Sequence, residues 1–355
     1  MKDVIVDSED SKMANDKHLV NQLDEKKKAS MTSRIIVGAV LAVTCIPALV
    51  VGSWFWFAII SFFFLVAVYE ICRAKQKKYP WYVWAITYVV CIIYMYWFLV
   101  KDNVSNYLAA QSAGTAWSFT LEQGYSEPNL SIYAIIVALG VYLFVSLINK
   151  DFDFLDVCYF VTMTILVSYG FQCLLFLRYH PFVSWNGLTD TTAPTFRFFQ
   201  SAIVVIFIVI AAFGNDTMAY FVGMFFGKHK MTPRLSPNKT WEGFFGGWIL
   251  GGGLALAFAL ICDANGFPML PGVKTFGTAE SRWWAIVLLS FTLPIIAVFG
   301  DLVFSSIKRH FGFKDYGTLL RAHGGVLDRV DSLIFCAMAC SILIVIIEKG
   351  SGFFA

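Results

Sequence analysis

Apolar residues run along this chain in stretches of about twenty, separated by short polar segments that hold most of the charge. At 1.5 Å rise per residue, about 20 apolar residues cross a hydrocarbon core about 30 Å thick. Nine stretches qualify: Ile35 to Val51, Trp54 to Ile71, Trp81 to Val100, Ile132 to Ile148, Phe154 to Leu177, Phe198 to Phe226, Phe244 to Cys262, Trp283 to Val303 and Ser332 to Ile347. The pattern predicts an all-α, polytopic integral membrane protein with about nine transmembrane helices, because lipid leaves backbone groups no partner outside the segment. The sixth stretch is too long for one crossing and holds Gly214, Asn215 and Asp216. Either the helix breaks there or it projects into the cytosol, and Asn215 and Asp216 lie near the cytoplasmic membrane surface, facing a cavity. Lys101 to Ser131 reads as the longest outside loop.

Composition agrees. Of 355 residues, 58% are hydrophobic and 14% charged, against roughly 45–50% and about 25% in soluble domains. Mean hydropathy is +0.67. A net charge of +3 is too small to argue for nucleic acid as a partner. With the amino terminus cytoplasmic, 21 of the 27 Lys and Arg fall inside and 6 outside, so the positive-inside rule supports that orientation and nine spans leave the carboxyl terminus outside. Residues 1–33 are polar, end in Lys26, Lys27 and Lys28 plus a short linker, and read as a disordered cytoplasmic tail. Residues 34–195 form an N-terminal transmembrane region of about five helices, and residues 196–355 a C-terminal transmembrane catalytic region with cytoplasmic motif loops. The eight cysteines fall in or beside apolar runs without metal-ligand spacing and read as small hydrophobes.

Two cytoplasmic segments combine cations, glycines and carboxylates beyond what a loop requires. The first runs from Gly227 to Gly247. Ser236 followed by Pro237 reads as a helix start, which puts Lys239 in the first turn. A lysine there opposes the helix dipole, so the turn is suited to hold an anion, phosphate above all, between amides and ammonium. Lys228, Lys230 and Arg234 serve equally well as topology anchors. The segment lacks the P-loop spacing, and Gly223 and Gly227 read instead as sites of close helix packing.

The second segment runs from Gly300 to Ser332. Asp301, Ser305 and Lys308, at i, i+4 and i+7, share one helical face, and Asp328 and Asp331 share another where the ninth span begins. Three carboxylates arriving at one region repel unless a cation sits between them, and such hard oxygen ligands suit magnesium with a phosphorylated substrate. Taken singly, Asp328 is a helix-start carboxylate, Lys308 and Arg309 are anchors, and His323 is a loop histidine. His323, Gly324 and Gly325 form a turn whose amides can approach a ligand closely.

From Ser305, read as S-x-x-K-R, through Lys314-Asp315 to His323-Gly-Gly-Val-Leu-Asp-Arg-Val-Asp331, the chain resembles the phosphatidate cytidylyltransferases, or CDP-diacylglycerol synthases. Asp216, Ala219-Tyr220, Gly223, Gly227-Lys228 and Ser236-Pro-Asn-Lys-Thr-Trp-Glu-Gly243 are similar too. The match covers about the carboxyl-terminal 40% of the chain and is closer to the bacterial branch. One departure is Arg321-Ala322, where the family usually has Pro-Gly. The resemblance implies CTP + phosphatidic acid → CDP-diacylglycerol + pyrophosphate in phospholipid biosynthesis, at the cytoplasmic face of a bacterial inner membrane. It implies Asp301, Asp328 and Asp331 as ligands of Mg2+, with Asp216 as a further ligand or supporting group and a second cation beside the magnesium. Lys239, Lys308, Arg309 and Arg329 become phosphate clamps; Ser236, Thr240, His323, Gly324 and Gly325 become hydrogen-bonding partners; Lys314 and Asp315 match the motif as substrate-binding positions. Implied partners are CTP, phosphatidic acid, membrane lipids and a second copy of the chain in a homodimer. The alternatives are a nucleotide-dependent transferase acting on another lipid phosphate or a polyprenol, and an ion-coupled transporter using Asp216 and Asp301.

Overall fold

The computed structural model describes residues 40, 43–75, 77–119, 121, 128, 132–179, 194–265, 267, 269, 283–317 and 324–349. The expected tail at residues 1–33 and the start of the first span lie outside the described residues. After helical residues 43–51 come α1 (Ser53–Ala74), α2 (Trp81–Ala113), α3 (Ile132–Ile148), α4 (Phe154–Tyr179) and α5 (Pro194–Phe226). A two-stranded ribbon follows, β1 (Lys230–Thr232) and β2 (Ser236–Thr240), then α6 (Trp241–Gly246), a π turn (Gly247–Gly251) and α7 (Gly252–Ala264). The remaining helices are α8 (Trp283–His310) and α9 (Leu327–Lys349). Among the described residues, seven helices are long and apolar enough to cross a membrane, with Trp241–Ala264 counted as one crossing and α3 shorter. The protein is an all-α polytopic membrane protein, and the ribbon is the one sheet among the described residues.

One expectation about a segment end is corrected, and one left between two alternatives is resolved. Lys101 does not begin a loop: α2 continues for 33 residues to Ala113, about 50 Å. It stops where Gly114 takes a left-handed φ of 66° and its N–H bonds back to Ala110 and Gln111, a C-cap that glycine adopts without steric cost. Nor does the sixth run break at Gly214, because α5 is continuous from Pro194 to Phe226. Asp216 is exposed, whereas Asn215 is buried against the π turn and does not face a cavity with it.

The most buried span is α4, which packs against α1, α2, α3, α5 and α9. The hydroxyl of Tyr142 on α3 meets Thr87 of α2 and Thr164 of α4, both at 3.2 Å. The cysteines are free thiols, and Cys72, Cys91, Cys173, Cys336 and Cys340 are buried among apolar neighbours.

At the start of α4, Asp153 and Asp156 form a reciprocal cap: the Asp156 N–H donates to the Asp153 carboxylate at 2.9 Å, and the Asp153 N–H to Asp156 at 3.1 Å. Asp156 is 0% exposed and also receives Lys75, Lys77 at 2.5 Å and the Tyr79 hydroxyl at 2.7 Å. Burial works against the Lys77 charge, but Asp156 and Asp153 outweigh it and raise its pKa. Burial, reinforced by Asp156, pushes the Tyr79 phenol up as well. One carboxylate therefore ties the turn between α1 and α2 to α4.

Removing one member of a buried ion pair costs about 3–5 kcal/mol, since the partner charges stay desolvated. Asp156→Ala should lower the thermal unfolding midpoint in detergent much more than Asp153→Ala, whose side chain is 57% exposed. Equal midpoints would mean that the cluster is solvated and carries little stability.

Candidate functional site

The expected helix start at Ser236 is corrected. Ser236–Thr240 is strand β2, paired antiparallel with β1 in the register Lys230 to Thr240 and Thr232 to Ser236. The helix begins at Trp241, where the Thr240 side chain caps it by accepting from the Gly243 N–H at 3.2 Å. Local signals could support either start, and strand pairing with residues 230–232 selects the later one. Glu242 seals the ribbon by accepting from the Lys228 and His229 N–H groups at 3.1 and 3.2 Å and pairing with His229 Nδ1 at 2.6 Å. Lys239 thus sits on an extended segment one residue before the cap, and Ser236 lies half-buried further back on the strand.

The ribbon is held against α5 because α5 and α6 cross closely. A Cβ on Gly243 would lie 2.8 Å from the Ala219 carbonyl oxygen and 3.2 Å from Gly223 Cα, so the expected packing role of Gly223 is met at this crossing. The result is a cavity of about 410 Å³ whose walls include Asp216, Tyr220, Lys239, Thr240 and Asp301. Lys239 Nζ lies 2.5 Å from Asp301 Oδ2, so the two motif segments, far apart in sequence, meet at one point.

On α8, the Ser305 hydroxyl donates to Asp301 at 3.3 Å, as the shared face predicts. Lys308 turns to Asp328, with Nζ at 2.8 Å from Oδ1, and both side chains are nearly covered. The other Asp328 oxygen accepts from the Tyr316 N–H at 2.9 Å and the Gly325 N–H at 3.0 Å. Asp328 therefore braces the loop before α9, and Gly324, at φ 79°, makes the bend. Asp331, 6% exposed, lies where it feels the charges of Asp301, Lys308 and Asp216. Asp216 in turn feels Asp301, Lys239 and Arg329. Asp328 is thus committed to Lys308 and two amides, Asp301 to Lys239 and Ser305, and Asp331 accepts from the Ser332 N–H at 2.7 Å. Among the described residues no three His, Cys, Asp or Glu side chains close into a ready-made metal centre.

Arg309 is exposed and donates from Nε to the Leu235 carbonyl at 3.4 Å, fastening the ribbon's turn to the end of α8. Lys314 and Asp315 are exposed on a second cavity, between α1, α2 and residues 312–317. His323, with Arg321 and Ala322, lies outside the described residues.

The sequence reading passed over Glu70. This residue, 2% exposed, reaches from α1 to the start of α9 and accepts from the Val326 and Leu327 N–H groups, both at 2.9 Å. It fits between Gly317 and Gly325, where a Cβ would lie 2.4 and 2.6 Å from its oxygens, so a side chain at either position would push the carboxylate from its place. A lone carboxylate inside an apolar run was the available signal.

The cytidylyltransferase family profile matches residues 32–347. A protein of Bacillus subtilis (strain 168) named phosphatidate cytidylyltransferase is 28% identical over 305 residues, 86% of this chain and 94% of that protein. Proteins of the same name from Staphylococcus epidermidis and Mycobacterium leprae are 30% identical over 218 residues and 36% over 165. The first alignment covers 61% of this chain and 70% of the relative, the second 42% and 48%. A match of that length, spanning both motif segments and the helices that bring them together, means that the chain belongs to the cytidylyltransferase family.

Proposed function

We propose that the protein is a phosphatidate cytidylyltransferase: CTP + phosphatidic acid → CDP-diacylglycerol + pyrophosphate. The observation that carries this reading is the Lys239–Asp301 contact at 2.5 Å, which joins the two phosphate-type motifs in one cavity. The relatives' name supplies the substrates. A phosphate oxygen of the lipid forms a bond to the α-phosphorus of CTP as the bond to pyrophosphate breaks. No side-chain nucleophile is needed. What the protein must do is offset repulsion between two polyanions and hold them in line.

Lys239 is aimed into the cavity by Asp301 and so is held ready for a phosphate oxygen. Lys308, kept in place by Asp328, and Arg329, within reach of the Asp216 charge, complete the cationic side. Thr240 acts through the cap that fixes Lys239, and Arg309 through the ribbon's turn. Hard oxygen donors fit magnesium, which usually takes one or two carboxylates plus substrate phosphates. Asp301, whose carboxylate lines the cavity with Asp216, would hold it, with Asp328 and Asp331 as the further proposed ligands. When bound, the ion neutralises charge on the nucleotide phosphates. A transporter reading gains no support from a pocket bordered by Lys239 on an interfacial ribbon.

The charge partition supports a cytosolic position for the ribbon and the 312–317 loop. Accessibility tagging should find residues near Lys77, Lys239 and Lys314 inside and those near Ser112 and Lys274 outside; Lys239 and Lys314 on opposite sides would end the single-face reading.

Asp301→Asn and Asp331→Asn should each lose at least about a hundredfold in kcat/KM while the protein still inserts, and chelator should remove the wild-type activity. Near-normal rates in both variants would leave these aspartates a purely structural task.

If Lys239 is only an anchor, Lys239→Arg is silent. If it meets a phosphate in the tight space beside Asp301, the wider guanidinium does not fit. Both Lys239→Arg and Lys239→Ala should therefore lose on the order of tenfold or more in kcat/KM with unchanged topology. A fully active Lys239→Arg beside an inactive Lys239→Ala would show that charge alone suffices.

A further inference from the structure

The second cavity is larger than the first, about 1470 Å³, and has a graded wall. Its rim is cationic: Arg73 from the last turn of α1, Lys78 from the α1–α2 turn and Lys314 from the loop before α9 converge on it from three segments, all exposed. Lys77 lines it too but is committed to Asp156. The acidic groups on the wall are Glu70 and Asp315, and Glu70 spends its oxygens on the Val326 and Leu327 N–H groups.

Below the rim the wall turns apolar. Tyr69, Leu65 and Phe62 descend α1, facing Trp84 and Tyr88 of α2. Phe62 lies twelve residues before Ala74, about 18 Å along the helix. Phe62, Leu65 and Tyr69 are 58%, 41% and 41% exposed, so on a membrane-spanning helix this side is open to lipid. Arg73 is steadied by the Tyr69 hydroxyl at 2.8 Å, so the last polar group of the rim is joined to the first aromatic of the wall.

We infer that this groove docks the acyl-bearing substrate, a lipid with a phosphomonoester headgroup, with the phosphate among Arg73, Lys78 and Lys314 and a chain along Phe62, Leu65 and Tyr69. The inference rests on the proposed cytidylyl transfer and gives the lipid its own site, apart from the Lys239–Asp301 cavity. Charge and polarity change along the groove as they do along a phospholipid. The loop that carries Lys314 is tied to α8: the Tyr316 N–H bonds to one Asp328 oxygen while Lys308 holds the other. A headgroup on the rim therefore rests against a loop braced to the end of α8.

The test uses the purified full chain in mixed micelles with CTP, magnesium and a varied mole fraction of phosphatidic acid. Arg73→Ala/Lys78→Ala should raise the KM for phosphatidic acid about tenfold or more, with kcat and the KM for CTP within about twofold. Val66→Trp, which narrows the groove wall, should act the same way, and Lys78→Ala alone, at an exposed turn, gives a milder version should the double variant not fold. Dodecyl phosphate should compete with phosphatidic acid, and inorganic phosphate at equal concentration should not. Unchanged KM for phosphatidic acid, an equal rise in both KM values, or equal competition by inorganic phosphate would each overturn the lipid groove while leaving the cytidylyl transfer intact. A wild-type protein that forms no nucleotide-linked lipid from phosphatidic acid would instead overturn the reading beneath it.

Discussion

A carboxylate withdrawn from water near a bilayer must find a partner or lose its charge, and this constraint arranges most of the protein's polar architecture. Asp156 holds Lys75, Lys77 and Tyr79; Glu70 holds the first amides around α9; Asp328 holds Lys308 and two loop amides; Asp301 holds Lys239. Each partner comes from a different stretch of chain. Satisfying these groups therefore joins α1 to α4, α1 to α9, α8 to α9, and the ribbon to α8, in addition to the apolar packing around α4.

The same constraint underlies the proposed chemistry. Cations and carboxylates that compensate one another at rest form a preorganised field in which arriving phosphates can replace one partner by another, without new charges having to be brought out of water. Asp301 is the pivot of the proposed site, because it pairs with Lys239 and accepts from Ser305. The N-terminal helices are not a passive frame for this arrangement. Glu70 sets where α9 begins, and hence where Asp328 and Asp331 stand.

The spans, the membrane class and the charge clusters could be read directly, because hydropathy is a sum over neighbouring residues and the solvent for each stretch follows from that sum. The motif residues could be read as well: Asp301 and Ser305 share a face because helical spacing is a local property. The family resemblance rested on the same local spacing.

Partner choice could not be read in this way. Ser236-Pro237 carries the marks of a helix start, yet residues 230–232 pair with it as a strand and leave the cap to Thr240. Asp328 and Asp331 are three residues apart on one helix, yet Lys308, Tyr316 and Gly325 claim the first, while the second accepts from Ser332. Glu70 looked like an isolated charge until α9, more than 250 residues away, supplied its amides. Local spacing assigns each residue to an element and a face, while the energy of a buried charge depends on which distant group reaches it first, and that is a property of the packed chain.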